Sequence, residues 1–326
     1  GIVDEIVDGD LLGGAIVFAE KILDNGTPRR VSSEPKEGIG SPDQFAEVIQ
    51  KYRDLANRRM RGQESPHEAI GSVIDGLEMP YERAVAADRE RFPRCKDSDQ
   101  SKALRYAFFA EREAAKIPSI GKEIQPRPVE TGAVIGTGTM GGGIIMCFAN
   151  AGIPVTAVET EQAALDRGMG MIEKNYQGMV DRGRIDAAEM TRRLGLISTS
   201  LDYGSAGEAD LIIEAAFEDL DLKKKIFTQL DGVAKPGTIL ATNTSYMDIN
   251  QIAAATDRPE DVIGLHFFVP ANVMKMLEVV RTNMSSPEAV ATGMRVARRF
   301  GKVGGLAGVS HGFVANRSRA PLVREA

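Results

Sequence analysis

The chain has 326 residues, 43% of them hydrophobic and 26% charged, and a net charge of −6. This is an ordinary globular balance, long enough for two or three domains, and its interspersed charges exclude the basic footprint of a nucleic-acid-binding surface. Cys95 and Cys147 are too far apart for a metal motif or a disulfide framework. No apolar run reaches the 18 residues of a membrane span, and the acidic opening GIVDEIVDGD lacks the basic character of a signal peptide. A bacterial-type cytoplasmic location is therefore expected. The chain opens without Met on what reads as mid-protein sequence, so a fragment of a longer protein is expected.

The first third reads as helices and loops. Residues 11–25 form a predicted helix stopped by Asn25-Gly26. Residues 34–42 are rich in Pro and Gly and read as a loop. Ser41 is placed to cap a helix over about 43–61, with Gln44 at capping-box spacing. Ser65-Pro66 opens a helix to about 76, another covers roughly 80–92, and residues 98–116 form a further one. Pro118, Pro126 and Pro128 make 118–130 a predicted linker.

From residue 133 short apolar runs alternate with helical patterns: AVIG, a helix to Asn150, IPVTAVE, a helix over about 161–181, DLIIEA, a helix from about 219 to 231, TILAT and VIGLHFF. This alternation predicts βαβ units on a parallel sheet, an α/β fold of the doubly wound Rossmann type. At its start, Gly136, Gly138 and Gly141 fall on G-x-G-x-x-G between a strand and a helix, and Glu159 ends the second strand 23 residues after Gly136. Each part has a task in holding a dinucleotide. Gly136 allows the tight turn, Gly138 the approach of backbone to pyrophosphate, and Gly141 close helix–strand packing. The helix N-terminus offers free N–H groups to phosphate. Glu159 can accept from a ribose 2′-hydroxyl and would repel a 2′-phosphate, which predicts NAD over NADP. Met140 would abut the cofactor, although core packing explains it almost as well.

His67, His266 and His311 are the histidines of the chain. His67 follows Ser65-Pro66 in polar sequence and reads as a surface residue. His266 closes the run VIGLH at the carboxyl end of a predicted strand, the edge at which open α/β sheets bind ligands. Glu278 lies 12 residues on, an acid inside the apolar MKMLEVV. A buried carboxylate needs a partner, and a His–Glu pair provides one while fixing the imidazole tautomer and stabilising the imidazolium. A histidine at a strand end is by itself more often structural. Beside a dinucleotide loop, however, it is the base that removal of an alcohol proton requires. Ser245, directly after TILAT, and Asn316, in GFVANR, are candidates to hydrogen-bond the reacting oxygen. Each would otherwise read as a turn former.

The segments AVIGTGTMGGGI, DLIIEAAFEDLDLKKKIF, ILATNTSYMDI, GLHFFVPANVMKMLEVV and HGFVANR together resemble the 3-hydroxyacyl-CoA dehydrogenase family, in its order and spacing over about 133–322. The resemblance implies NAD-dependent oxidation of (3S)-3-hydroxyacyl-CoA to 3-oxoacyl-CoA, with His266 as catalytic base, Glu278 as its partner, and Ser245 and Asn316 on the substrate. It implies NAD contacts at the glycine loop, Met140, Glu159, Ala216, Phe217, Glu218, Lys223, Asn243 and Ser245. Some positions depart from the family: Glu159 stands for Asp, Val269 for a cofactor-contacting Asn, Gly304 and Gly305 for strand formers, and Ser318 and Arg319 for apolar residues.

The first third resembles the end of a crotonase-fold enoyl-CoA hydratase domain and the linker helix of multifunctional fatty-acid oxidation proteins. The expected organisation is a hydratase end and linker helix over 1–117, a linker over 118–130, an NAD-binding domain over 131–309, and the start of a helical second domain over 310–326. No hydratase activity is expected of this chain. Residues 310–326 are expected to be poorly held, with Asn316 misplaced. The implied partners are an acyl-CoA and either a thiolase subunit or further copies of the chain, without nucleic acid or a membrane span. The rival readings are a Rossmann dehydrogenase for a small hydroxy acid and a catalytically incompetent NAD-binding fragment serving as a structural or interaction module.

Overall fold

A computed structural model of the chain describes residues 5–26, 42–117, 120, 121 and 123–325. The predicted cap Ser41 and the loop at 34–41 lie outside these residues. The chain separates into two compact units, Gly1–Ala107 and Phe108–Ala326.

The first unit is helical. Helix α1 (Leu11–Asp24) is capped by the Asp10 carboxylate, which accepts from the Leu12 amide at 3.1 Å, and it stops at Asn25, before Gly26 with φ of +58°. Helices α2 (Ala46–Arg59), α3 (Ser65–Glu78), α4 (Tyr81–Asp97) and α5 (Asp99–Ala114) follow, the last crossing into the second unit. Arg91 of α4 ties to Glu68 and Asp75 of α3 at 3.1 and 2.5 Å. The expected end of α4 near residue 92 is too early, because the helix continues through Pro93 to Asp97. The stop comes instead at Ser98, whose hydroxyl accepts from the Ser101 amide and caps α5. His67 is exposed, as its setting suggests. Among the described residues of this unit, Ala56 is the single fully buried apolar side chain.

The second unit is built on an eight-stranded sheet. Its elements in chain order are β1 (Gly132–Ile135), α6 (Thr139–Asn150), β2 (Val155–Val158), α7 (Gln162–Asp181), α8 (Ala187–Leu194), β3 (Ile197–Ser200), β4 (Leu211–Glu214) and α9 (Leu220–Val233). They continue with β5 (Ile239–Thr242), α10 (Ile249–Ala253), β6 (Val262–Phe267), β7 (Met276–Arg281), α11 (Pro287–Arg299), β8 (Val303–Gly308) and α12 (Ala315–Glu325). The strand order is 3-2-1-4-5-6-7-8. Strands β1 to β6 are parallel, β7 turns back antiparallel to β6, and β8 runs parallel to β7. The order reverses between β1 and β4, so the crevice outside their carboxyl ends is the topological switch point at which such sheets bind ligands.

Both faces of the sheet are covered, which is why its central strands read as continuous apolar runs. Val134, Ile213, Ala241 and Leu265 pack with Ile144, Phe148 and Ile172 on one face, while Ala133, Ile212, Leu240 and Val262 pack with Phe227, Leu230 and Ile252 on the other. Gly304 lies in β8 opposite Leu277 of β7 and faces α11. A Cβ there would lie 3.1 Å from that of Ala297, so its small size admits close packing of α11. The proline-rich segment is fastened rather than loose over 123–130. The Arg127 amide donates to Thr292 Oγ1 at 2.9 Å, its guanidinium meets Asp261 at 2.7 Å, and Val129 is buried.

No helix among the described residues is long and apolar enough to cross a membrane.

Candidate functional site

The glycine turn lies at the switch point. Gly136 has φ of +96°, and a Cβ there would fall 2.8 Å from the Ala215 carbonyl oxygen. A Cβ on Gly141 would fall 1.8 Å from the Gly136 oxygen, so α6 can approach the turn this closely through glycine alone. Gly138 is different: it is exposed, and a Cβ would meet nothing within 4 Å. Two glycines thus serve packing and the third leaves an open cradle at a helix N-terminus, which fits a pyrophosphate. Glu159, just beyond β2, is aimed at this turn. Its Oε1 accepts from the Thr137 amide at 2.8 Å and the Thr137 hydroxyl at 3.2 Å, and its Oε2 from the Thr160 amide at 3.1 Å.

A cavity of about 320 Å³ opens beside the turn, and Met140, Ala216, Glu218, Lys223, Asn243 and Ser245 line it together with Ala215 and Tyr246. Phe217, singled out with them, stands outside this lining and is 85% exposed. Below the cavity is a buried polar network. The Lys223 ammonium meets Glu214 Oε1 at 2.7 Å and Glu218 at 3.4 Å, and Glu214 accepts also from the Ala216 amide and the Thr242 hydroxyl, each at 2.7 Å. Glu218 in turn accepts from the Ser245 amide at 3.0 Å and from the Thr244 hydroxyl. The Lys223 ammonium is thus already engaged, so it acts as a support for the cavity wall. The Asn243 side chain is likewise engaged, since its oxygen accepts from the Phe267 amide at 2.8 Å and ties the cavity to the strand that carries His266.

His266 and Glu278 face each other in the register of β6 and β7. His266 Nδ1 lies 2.6 Å from Glu278 Oε2, and both residues are buried. The other carboxylate oxygen, Oε1, accepts from the amides of Val314 and Ala315 at 2.9 Å each. Burial pushes the Glu278 carboxyl up, but the hydrogen bonds from His266, Ala315 and Val314 outweigh it and hold the group below the usual range. The stabilisation that goes with this is present above the unfolded pKa of about 4.3 and lost as pH falls through the depressed folded value. A Tm advantage of wild type over Glu278→Gln is therefore expected at neutral pH and should shrink below about pH 4. A gap independent of pH would mean that Glu278 is not an anion in the folded chain.

The same contacts correct the expectation that residues 310–326 are poorly held throughout. Phe313, with φ of +48°, is buried beside the His266 ring at 5.6 Å, and the first turn of α12, which carries Asn316, is anchored on Glu278. At the far end of α12, Leu322 and Val323 are 73% and 63% exposed. Tyr246, next to Ser245, has its ring 5.1 Å from that of His311, which brings the Ser245 loop to the turn before α12. Val269, Ser318 and Arg319 are exposed, so the polar departures on α12 face solvent.

Sequence reasoning passed over Glu214, Thr244 and the amides of Val314 and Ala315. Glu214 carried a usable signal, an acid inside the apolar run DLIIEA, which is the pattern that marked Glu278. Backbone amides carry no such signal. Cys147 is no candidate nucleophile, since burial pushes its thiol up to about 11.

A glycine turn at the switch point of a doubly wound sheet defines a protein of the dinucleotide-binding Rossmann class. Residues 131–306 match the 3-hydroxyacyl-CoA dehydrogenase NAD binding domain. The chain belongs to the 3-hydroxyacyl-CoA dehydrogenase family, and its cofactor is NAD. It is 40% identical over 327 residues to the peroxisomal bifunctional enzyme of Cavia porcellus and 38% identical over 336 residues to that of Homo sapiens. These matches cover 97% and 100% of this chain but 44% and 45% of the relatives, so the chain spans less than half of their length. Among solved structures, 3-hydroxybutyryl-CoA dehydrogenase from Escherichia coli superposes with a TM-score of 0.60 at 39% identity, over 61% of this chain and 42% of that one. The relatives' names overturn the expectation of a bacterial-type cytoplasmic location, because both are peroxisomal proteins.

Proposed function

We propose that this chain carries out NAD-dependent oxidation of (3S)-3-hydroxyacyl-CoA to 3-oxoacyl-CoA, a step of fatty-acid β-oxidation, with residues 1–117 as the end of a hydratase domain and its linker helix and 131–309 as the NAD-binding domain. The observation that carries this reading is the 2.6 Å contact of His266 Nδ1 with Glu278 on a strand tied to the cofactor cavity. An anionic Glu278 accepts from Nδ1–H, which leaves Nε2 as the lone-pair nitrogen. Nε2 takes the substrate's hydroxyl proton, and Glu278 stabilises the imidazolium that forms. Ser245 and Asn316 hydrogen-bond the reacting oxygen. Gly136, Gly138, Gly141 and Met140 hold the dinucleotide at the switch point, Glu159 holds its ribose, and Ala216, Phe217, Glu218, Lys223 and Asn243 form and support the wall of the cavity. NAD, when bound, supplies the hydride acceptor. An acyl-CoA is the small-molecule partner, and a thiolase subunit or a second copy of the chain is the protein partner that the resemblance implies.

Steady-state oxidation of 3-hydroxybutyryl-CoA with NAD tests this reading, and turnover that depends on both reactants is expected. The exposure of Leu322 and Val323, on a helix that buries none of its residues, favours a second reading, an NAD-binding module without turnover. NAD binding with no oxidation would establish that one instead.

Cofactor choice is a separate prediction. Glu159 should make NADH bind much more tightly than NADPH, since a carboxylate at the ribose accepts from a hydroxyl and repels a phosphate. Fluorescence titration with the two nucleotides measures the difference. Equal affinities would remove Glu159 from the site.

A further inference from the structure

A buried carboxylate can be a dependable partner for an imidazole only if its own charge is compensated, because water is excluded from it. His266 engages one oxygen of Glu278. The other is engaged entirely by backbone, through the amides of Val314 and Ala315 at 2.9 Å. These groups belong to the start of α12: the Ser318 amide donates to the Val314 carbonyl at 2.9 Å, which makes Ala315 the first helical residue. The first amides of a helix have no partner within it and carry its positive end. The turn that delivers them is set by Gly312, with φ of +70°, and by the left-handed Phe313, which is buried beside the imidazole. The donors that lower the carboxyl pKa of Glu278 are His266 and these two amides, against the burial that raises it.

We infer that the first turn of α12 is a positioning element of the base, in which the Val314 and Ala315 amides hold Glu278 as an anion facing His266 Nδ1, so that docking of α12 and assembly of the His266–Glu278 pair are a single event. This rests on the proposed role of His266, but it makes a separate claim: the pair is complete only when the helix that carries Asn316 is seated. The element that brings a substrate contact to the cleft would then also set the pair that takes the proton.

The amide can be removed without removing the helix, because proline is tolerated at the first helical position. In Ala315→Pro the pair loses a donor and sits in a more negative environment, so it takes up a proton at higher pH. The acidic limb of the kcat/KM profile should move to higher pH, and kcat should fall about tenfold, a typical effect of losing one charged hydrogen bond, with KM for NAD unchanged. Ala315→Gly keeps the N–H and should keep the wild-type profile, as should Val323→Ala at the exposed far end of the helix. Superimposable profiles for Ala315→Pro and wild type, or the same shift in Ala315→Gly, would overturn the inference.

A measurement independent of turnover keeps it falsifiable if the proline variant does not fold. In the wild-type chain, selectively ¹⁵N-labelled Val314 and Ala315 amides should shift as pH falls through the depressed range in which the Glu278 carboxyl takes up a proton. Amides that ignore that titration would overturn the inference, whereas absence of oxidation in the wild type would count against the proposed reaction alone.

Discussion

In the His266→Ala variant, oxidation of 3-hydroxybutyryl-CoA falls by about 10²–10⁴-fold, the usual contribution of a positioned general base. NAD affinity changes little, because the imidazole is engaged by Glu278 and lies among Phe268 and Phe313, with centroids at 4.5 and 5.6 Å, rather than in the lining of the cofactor cavity. Stability changes in the same direction but for a different reason: removal of the ring leaves Glu278 with its two backbone donors and no side-chain partner. Steady-state kinetics beside a calorimetric NAD titration separates these effects. Turnover within a factor of a few of wild type would show that another group takes the proton.

The largest loss of stability is expected from Lys223→Met. Lys223 and Glu214 are 1% and 0% exposed, and their contact at 2.7 Å is the most deeply buried ion pair among the described residues. Removal of the ammonium leaves a carboxylate with the Ala216 amide and the Thr242 hydroxyl but no countercharge. An uncompensated buried charge of this kind costs about 3–5 kcal/mol. The double variant Glu214→Leu/Lys223→Met removes both charges and should recover much of that loss. Urea melts of the two variants measure it. A single-variant loss below about 1 kcal/mol would mean that water reaches Glu214. Since the same pair supports Glu218, and through it Ser245, NAD binding should weaken in parallel.

The strand–helix alternation after residue 133 was legible because parallel strands buried on both faces must be apolar throughout. The glycine turn was legible because Gly136 and Gly141 stand where a Cβ would strike backbone oxygen. Glu278 was legible as an acid in an apolar run. The end of α4 is not legible in the sequence because Pro93 removes an N–H without forcing a stop, and the boundary is set by the Ser98 cap. Lys223 and Asn243 line the cavity, but the partners that engage their polar atoms lie nine residues back at Glu214 and in another strand at Phe267. Such partners depend on neighbours that no local pattern specifies.

The sequence by itself determined the doubly wound sheet, the dinucleotide turn and the identity of the acid–imidazole pair, because those features rest on local periodicity and on residue types that few other settings tolerate. The tertiary structure decided how the pair meets. β7 runs back antiparallel to β6, and that register sets His266 opposite Glu278 across 12 residues of chain. It also decided what holds the pair, the first two amides of α12, reached by a left-handed turn at Gly312 and Phe313. Every residue but proline carries the same amide, so its role is set by where the backbone goes and not by which side chain it bears.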